Sequence, residues 1–147
     1  MYIYSMSRKL KDIGADLDSK ARTLILHLIK IVLYPYHGAQ NHWFQEIYSS
    51  INDIDFIKGS NKLPKSEFIY YNITTNHLSK FNKYIDIILK DYGDTDCTTS
   101  NDDILLYVQE YCRWLGDELS ENGVVSRTDV YEHLSDIVED VKSNFVN

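Results

Sequence analysis

Arg22-Thr23-Leu24-Ile25-Leu26-His27-Leu28-Ile29-Lys30-Ile31-Val32-Leu33-Tyr34-Pro35 is the stretch on which the fold turns. From Leu24 to Tyr34 only His27 and Lys30 are not apolar, so a helix there is greasy on nearly every side and has to be covered by other helices. At about eleven residues the run is too short to span a bilayer, and the polar-rich segment before it, with Asp12, Asp16 and Asp18, does not fit a secretory leader. It reads as the central rod of a bundle. Pro35 stops the rod, because it has no N–H to continue the ladder, and Tyr36-His37-Gly38 makes the turn.

Upstream, Ile3, Met6, Leu10, Ile13 and Leu17 recur every three or four residues and predict a separate first helix, weakened at Gly14 by about 1 kcal/mol relative to alanine. Asp18 or Ser19 then caps the rod, which starts at Lys20. Downstream, a third helix is expected over Gln40 to Asn52 with Trp43, Phe44, Ile47, Tyr48 and Ile51 inward, and residues 53–65 form the longest loop, pinned by Phe56 and Ile57. Ser66 caps a fourth helix with the stripe Leu78, Phe81, Ile85, Ile88 and Leu89, although Phe68 to Thr75 is rich in strand-formers and reads as helix or strand.

After a polar loop, Ser100 with Asp103 forms a capping pair for a fifth helix that buries Ile104, Leu105, Val108, Tyr111, Cys112, Leu115 and Leu119 and stops at Asn122-Gly123. Ser126 with Asp129 opens a sixth, with Val130, Leu134, Ile137, Val138, Val141 and Phe145 on one face. The expected fold is all-α: a single-domain bundle of five or six helices over residues 1–147, long enough to bury roughly two-thirds of its unfolded surface. Cys97 and Cys112 lie outside any metal-ligand spacing and read as free thiols of a soluble, cytoplasmic chain.

Lys9-Leu10-Lys11-Asp12-Ile13-Gly14, His27-Leu28-Ile29-Lys30-Ile31, Pro35 eight residues after His27 and Trp43 eight after Pro35 together resemble the bacterial domain-of-unknown-function family numbered twenty-nine, with Ile31 where that family has a tryptophan. The resemblance covers residues 8–52 and implies a helical bundle with no known activity. Arg22 and His27 also have the spacing of the Arg-x4-6-His signature of HEPN ribonucleases, which implies an RNA-cleaving pair, although Thr23 stands where that family has a polar Asn, Asp or His. The pair falls inside an apolar rod where a substrate could hardly reach His27, so a satisfied, partly buried structural histidine is the preferred reading. His37, His42 and Glu46 lack the further ligand that a metal site needs. Asp94-x-Asp96 is not a calcium loop, since Thr99 and Leu105 occupy the glycine and closing-glutamate positions.

Charge carries the functional reading. Residues 1–90 hold twelve Lys and Arg against eight Asp and Glu, whereas residues 91–147 hold three against fourteen, a net −11. On the last helix Asp129, Glu132, Asp136, Glu139 and Asp140 fall on one stripe. Asp94, Asp96, Asp102, Asp103, Glu110, Asp117, Glu118 and Glu121 add to it, with Tyr107, Trp114 and Tyr131 as aromatic anchors. So negative a surface argues against nucleic acid as the partner and favours a basic protein, steered by charge and held by aromatics; no membrane partner is expected either. The expectation is an acidic bacterial inhibitor, an immunity protein or antitoxin that covers the cationic active site of a toxin such as a nuclease, with no catalytic residues, cofactor or metal. The alternatives are the ribonuclease using Arg22 and His27, and a homo-oligomeric scaffold, at its simplest a homodimer, in which the basic part of one copy meets the acidic part of another.

Overall fold

The structure, a computed structural model, describes residues 2–60, 75–95 and 97–146, with side chains for 14–55, 75–95 and 97–146. Among these residues the chain forms five α-helices: α1 (Tyr2–Leu33), α2 (Gln40–Ser60), α3 (Phe81–Tyr92), α4 (Asn101–Asn122) and α5 (Arg127–Phe145), with a 3-10 turn at Leu78–Lys80 ahead of α3. No strand is present among the described residues; Cys97 and Val146 form an isolated antiparallel bridge. The molecule is an all-α bundle. The expected rod is its axis: α1 packs against α2, α3, α4 and α5. Leu24, Ile25, Leu28, Ile29, Ile31, Val32 and Leu33 are all buried, which is what a helix apolar on nearly every side requires.

Four expectations are corrected. The separate first helix and the cap at Asp18 or Ser19 do not occur, because α1 runs unbroken for 32 residues. Gly14 is exposed with nothing within 4 Å of a would-be Cβ, so it costs helix propensity without creating a break. Asp18 instead pairs with His77, and the Ser19 carbonyl accepts from the Thr23 hydroxyl at 3.1 Å. Next, α2 does not stop at Asn52. Ile54 extends the buried series of Ile47 and Ile51, and Asp53 pairs with Lys20 of α1 at 3.2 Å, so packing carries the helix through residues taken for loop. Leu78 is not inward but 48% exposed. The 3-10 turn winds tighter than an α-helix and shifts the register ahead of Phe81, leaving Phe81, Tyr84, Ile85 and Ile88 as the buried face, with Leu89 half-buried. Finally, Tyr48, Leu105, Ile137 and Phe145 sit at the margin of the core, half-buried. The side chains of Ile3, Met6, Leu10, Ile13, Phe56 and Ile57, the cap at Ser66 and the helix-or-strand segment 68–74 lie outside the described residues; Thr75 is helical.

The later helix ends follow the sequence closely. The Ser100 and Ser126 hydroxyls accept from the Asp103 and Asp129 amides, each at 3.1 Å. Gly123 ends α4 at φ 76°, and Gly93 ends α3 at φ 85°, ψ −163°, a region open essentially only to glycine. The Gly93 carbonyl accepts from the Tyr34 hydroxyl at 2.5 Å, and the Leu33 carbonyl from the Thr95 hydroxyl, so the end of α1 and the loop after α3 are tied together.

Candidate functional site

Helices α4 and α5 follow one another through the short turn at 123–126, and large side chains stand between them. Trp114 of α4 lies flat on His133 of α5, ring centroids 3.7 Å apart and planes 17° apart. About two turns earlier on α4, the Tyr107 hydroxyl donates to the Asp140 carboxylate, and the Tyr107 ring meets Phe145 edge-on at 6.2 Å. Because side chains rather than backbones close this seam, a groove is left along it. One lobe, of about 330 Å³, is lined by Tyr107, Glu110, Tyr111, Trp114, His133, Asp136, Ile137 and Asp140. The adjoining lobe, of about 370 Å³, shares Tyr107, Glu110 and Asp140 and adds Asp103, Leu106, Asn144 and Phe145.

The groove therefore carries four carboxylates, Asp103, Glu110, Asp136 and Asp140, and neither lobe has a lysine or arginine in its lining. Burial first, then the bond to Asp140 and the charges of Asp140 and Asp103, push the Tyr107 hydroxyl well above its ordinary value. It stays protonated and fixes Asp140 as an acceptor. Asp103 is engaged by the Ser100 hydroxyl at 3.0 Å and Asp140 also by Asn144 at 3.2 Å. Glu110 and Asp136 have no hydrogen bond or ion pair among the described residues.

Family models, curated proteins and solved structures contain no match to this chain. The likeness of residues 8–52 to the domain family named above rests on its motif residues alone.

Six of the expected partner-binding residues converge on the groove: Asp103, Tyr107, Glu110, Trp114, Asp136 and Asp140. The rest spread outward. Asp102 is exposed in the first turn of α4 and Asp129 in that of α5. Asp117 and Glu121 are exposed towards the end of α4, where Glu118 accepts from Asn122 at 2.9 Å. Asp94 is exposed beyond α3, and Asp96 lies outside the described residues. Tyr131 is on the other flank of α5, edge-on to Phe44 at 5.6 Å with the Arg127 guanidinium 4.9 Å from its ring centroid. Glu132 borders Arg127 there, in a shallow depression. Glu139 pairs with Lys142 at 3.4 Å, and that ammonium also sits 4.6 Å from the Tyr36 ring centroid. The sequence reading missed His133, Ile137, Leu106 and Phe145 as groove residues. Only Leu106, 53% exposed, carried a signal of its own, an apolar residue on the polar side of the α4 pattern.

Arg22 and His27 do not converge. Five residues along a helix turn by about 140° beyond a full circle, and the Arg22 guanidinium lies over the Tyr84 ring at 5.8 Å while His27 Nδ1 donates to the Thr23 carbonyl at 2.8 Å. His37 stacks on Trp43 at 4.8 Å and accepts from the Ala39 amide at 3.0 Å; His42 Nε2 is 4.0 Å from Glu46. Among the described residues no three His, Cys, Asp or Glu side chains are grouped as metal ligands. Cys112 is buried, which pushes its thiol up to about 12 and makes it a poor nucleophile.

Burial holds His27 below its ordinary value of 6.5, against the opposing effect of the Thr23 carbonyl. The unfolded chain therefore takes up this proton more readily than the folded one, so the stability present above pH 6.5 is lost as pH falls towards the lowered folded-state value. In urea titrations from pH 8 to 5, His27→Gln is expected to show a shallower loss of stability than the parent chain. Equal slopes would show that His27 is not the group responsible.

Proposed function

We propose that the protein is an acidic, cytoplasmic inhibitor that binds a basic protein through the α4–α5 groove, in the manner of an immunity protein or antitoxin covering the cationic active site of a toxin such as a nuclease. The observation that carries this reading is the groove itself: four carboxylates and four large aromatic side chains, Tyr107, Tyr111, Trp114 and Phe145, in one cleft, with no lysine or arginine of the chain in its lining. Like charges so close together cost the free protein a few tenths of a kcal/mol per neighbouring pair, a cost that a cationic partner removes. A nuclease surface is positive because it holds phosphates. Carboxylates presented on rigid helices meet that charge directly, speed encounter by steering, and leave the aromatics to supply contact area. No helix among the described residues is long and apolar enough to cross a membrane.

The test uses a partner captured from the native host at low salt and identified by its charge and activity. Replacing Glu110, Asp136 and Asp140 together by lysine is expected to weaken its binding by more than about tenfold, roughly 1.4 kcal/mol, and to flatten the dependence of affinity on salt. Unchanged affinity with unchanged salt dependence would remove the groove from the interface.

A further inference from the structure

Among the residues lining the groove, His133 of α5 is the one histidine, the side-chain type whose charge ordinarily changes between pH 5 and 8. It lies face to face with Trp114 of α4, centroids 3.7 Å and planes 17° apart. The ring is half-buried, and its nitrogens make no hydrogen bond or ion pair among the described residues, so a proton arriving from solvent breaks no bond. Facing it are Tyr107, Glu110 and Tyr111 from α4 and, along its own helix, Asp136 and Asp140, with Asp129 one turn before. Burial holds both tyrosine hydroxyls well above their ordinary value, helped at Tyr107 by Asp140, so neither changes charge near neutral pH. Carboxylates ordinarily titrate near about 4, below the range of histidine. Arg113, the basic residue next to Trp114 in sequence, is exposed and is not part of the lining. The charge of the groove in mildly acidic solution is therefore set by His133.

Two effects meet at this stack. An imidazolium lying on an indole face is a cation–π pair, and tryptophan is the ring that holds a cation best. The same proton sets a positive charge among the four carboxylates of the groove, which weakens the field that draws in a basic partner. One unit charge at such a range changes affinity on the order of threefold even when screened by water. We infer that His133 is a proton-operated regulator of the α4–α5 groove: neutral, it leaves the acidic surface at full strength, and protonated against Trp114 it loosens the hold on a basic partner. This adds regulation to the inhibitor reading and rests on it. The partner is held at neutral pH and released on mild acidification.

The experiment titrates the full chain from about pH 8 to 5.5 at one ionic strength, alone and with a capped oligolysine peptide, which has no group that changes charge in that range. Alone, the ring resonances of His133 should move together with the indole resonance of Trp114, and His133→Gln should hold the Trp114 signal still. Trp43 has a histidine of its own, His37, stacked at 4.8 Å, so His37→Gln is the control that leaves the Trp114 titration in place. The peptide is expected to bind the parent chain about threefold more tightly at the upper pH than at the lower, and His133→Gln equally at both. Equal affinity at the two pH values in the parent chain, or the same loss in His133→Gln, overturns the regulator and leaves the acidic-surface reading standing. Absence of saturable binding at the upper pH overturns both, since a groove that does not hold a cationic chain has no hold to regulate.

Discussion

Replacing Trp43 by alanine is expected to remove about 3–5 kcal/mol of stability, the largest loss foreseen for any single side chain of this protein. Trp43 is 1% exposed and stands where three elements meet. Its ring contacts Tyr34 at the end of α1 (6.5 Å), His37 in the turn (4.8 Å) and Tyr92 at the end of α3 (5.7 Å). The Lys30 ammonium, 5.1 Å from the Tyr92 ring centroid, closes the cluster from α1. Truncation loses the transfer free energy of the indole, opens a cavity between helices held apart by their own backbones, and removes aromatic pairs worth about 0.5–1.5 kcal/mol each. A domain of this size has about 5–15 kcal/mol in total, so the variant sits at the edge of folding. Urea unfolding followed by circular dichroism should show a much lower midpoint with an unchanged slope, and Trp43→Phe should recover part of the loss. A loss below about 1 kcal/mol would mean that the cluster is not cooperative packing.

The contrast between Trp43 and the rest of the chain shows which features the sequence made legible. Trp43 could be assigned to the core because an apolar period of three to four residues surrounds it, and such local patterns worked elsewhere too. Ser100, Gly123 and Ser126 mark their helix ends because a cap is made by residues three apart. What failed was the inference from a capping residue to a cap. Asp18 and Ser19 are good N-caps only where the backbone enters a helix; here the apolar faces on both sides of them belong to one helix, and tertiary packing overrode the local preference. The same holds for residues 53–60, where Ile54 and the Lys20–Asp53 pair carry α2 on through Gly59 and Ser60. The groove was half legible. Its carboxylates stood out as charge, whereas His133 and Ile137 join them only because α4 and α5 lie side by side, which no spacing along one helix reveals. Glu132 and Glu139 shared the stripe in sequence yet lie beside Arg127 and Lys142, since a stripe about 100° wide has two flanks.

His77 is the residue furthest from any sequence signal, and its replacement by leucine is expected to cost about 2–3 kcal/mol. Its side chain is 4% exposed. Nε2 lies 2.9 Å from the Asp18 carboxylate on α1, and Nδ1 lies 2.9 Å from the Tyr84 hydroxyl on α3. A single neutral tautomer satisfies the whole chain: Nε2–H donates to Asp18, and the Tyr84 O–H donates to Nδ1. Leucine fills a similar volume but leaves the buried Tyr84 hydroxyl without its acceptor, and an unsatisfied buried donor costs more than a hydrogen bond contributes. Asp18, whose side chain is 62% exposed, regains water, so Asp18→Asn should be mild. The decisive measurement is a double-mutant cycle. Tyr84→Phe alone should cost about 1 kcal/mol, whereas in the His77→Leu background, with the orphan hydroxyl gone, it should be neutral or stabilising. Additive losses would show that the histidine and the tyrosine act independently. Coupling would establish that His77 and Tyr84 act as one buried polar unit, which meets the rod at Asp18, 59 positions before His77 in sequence.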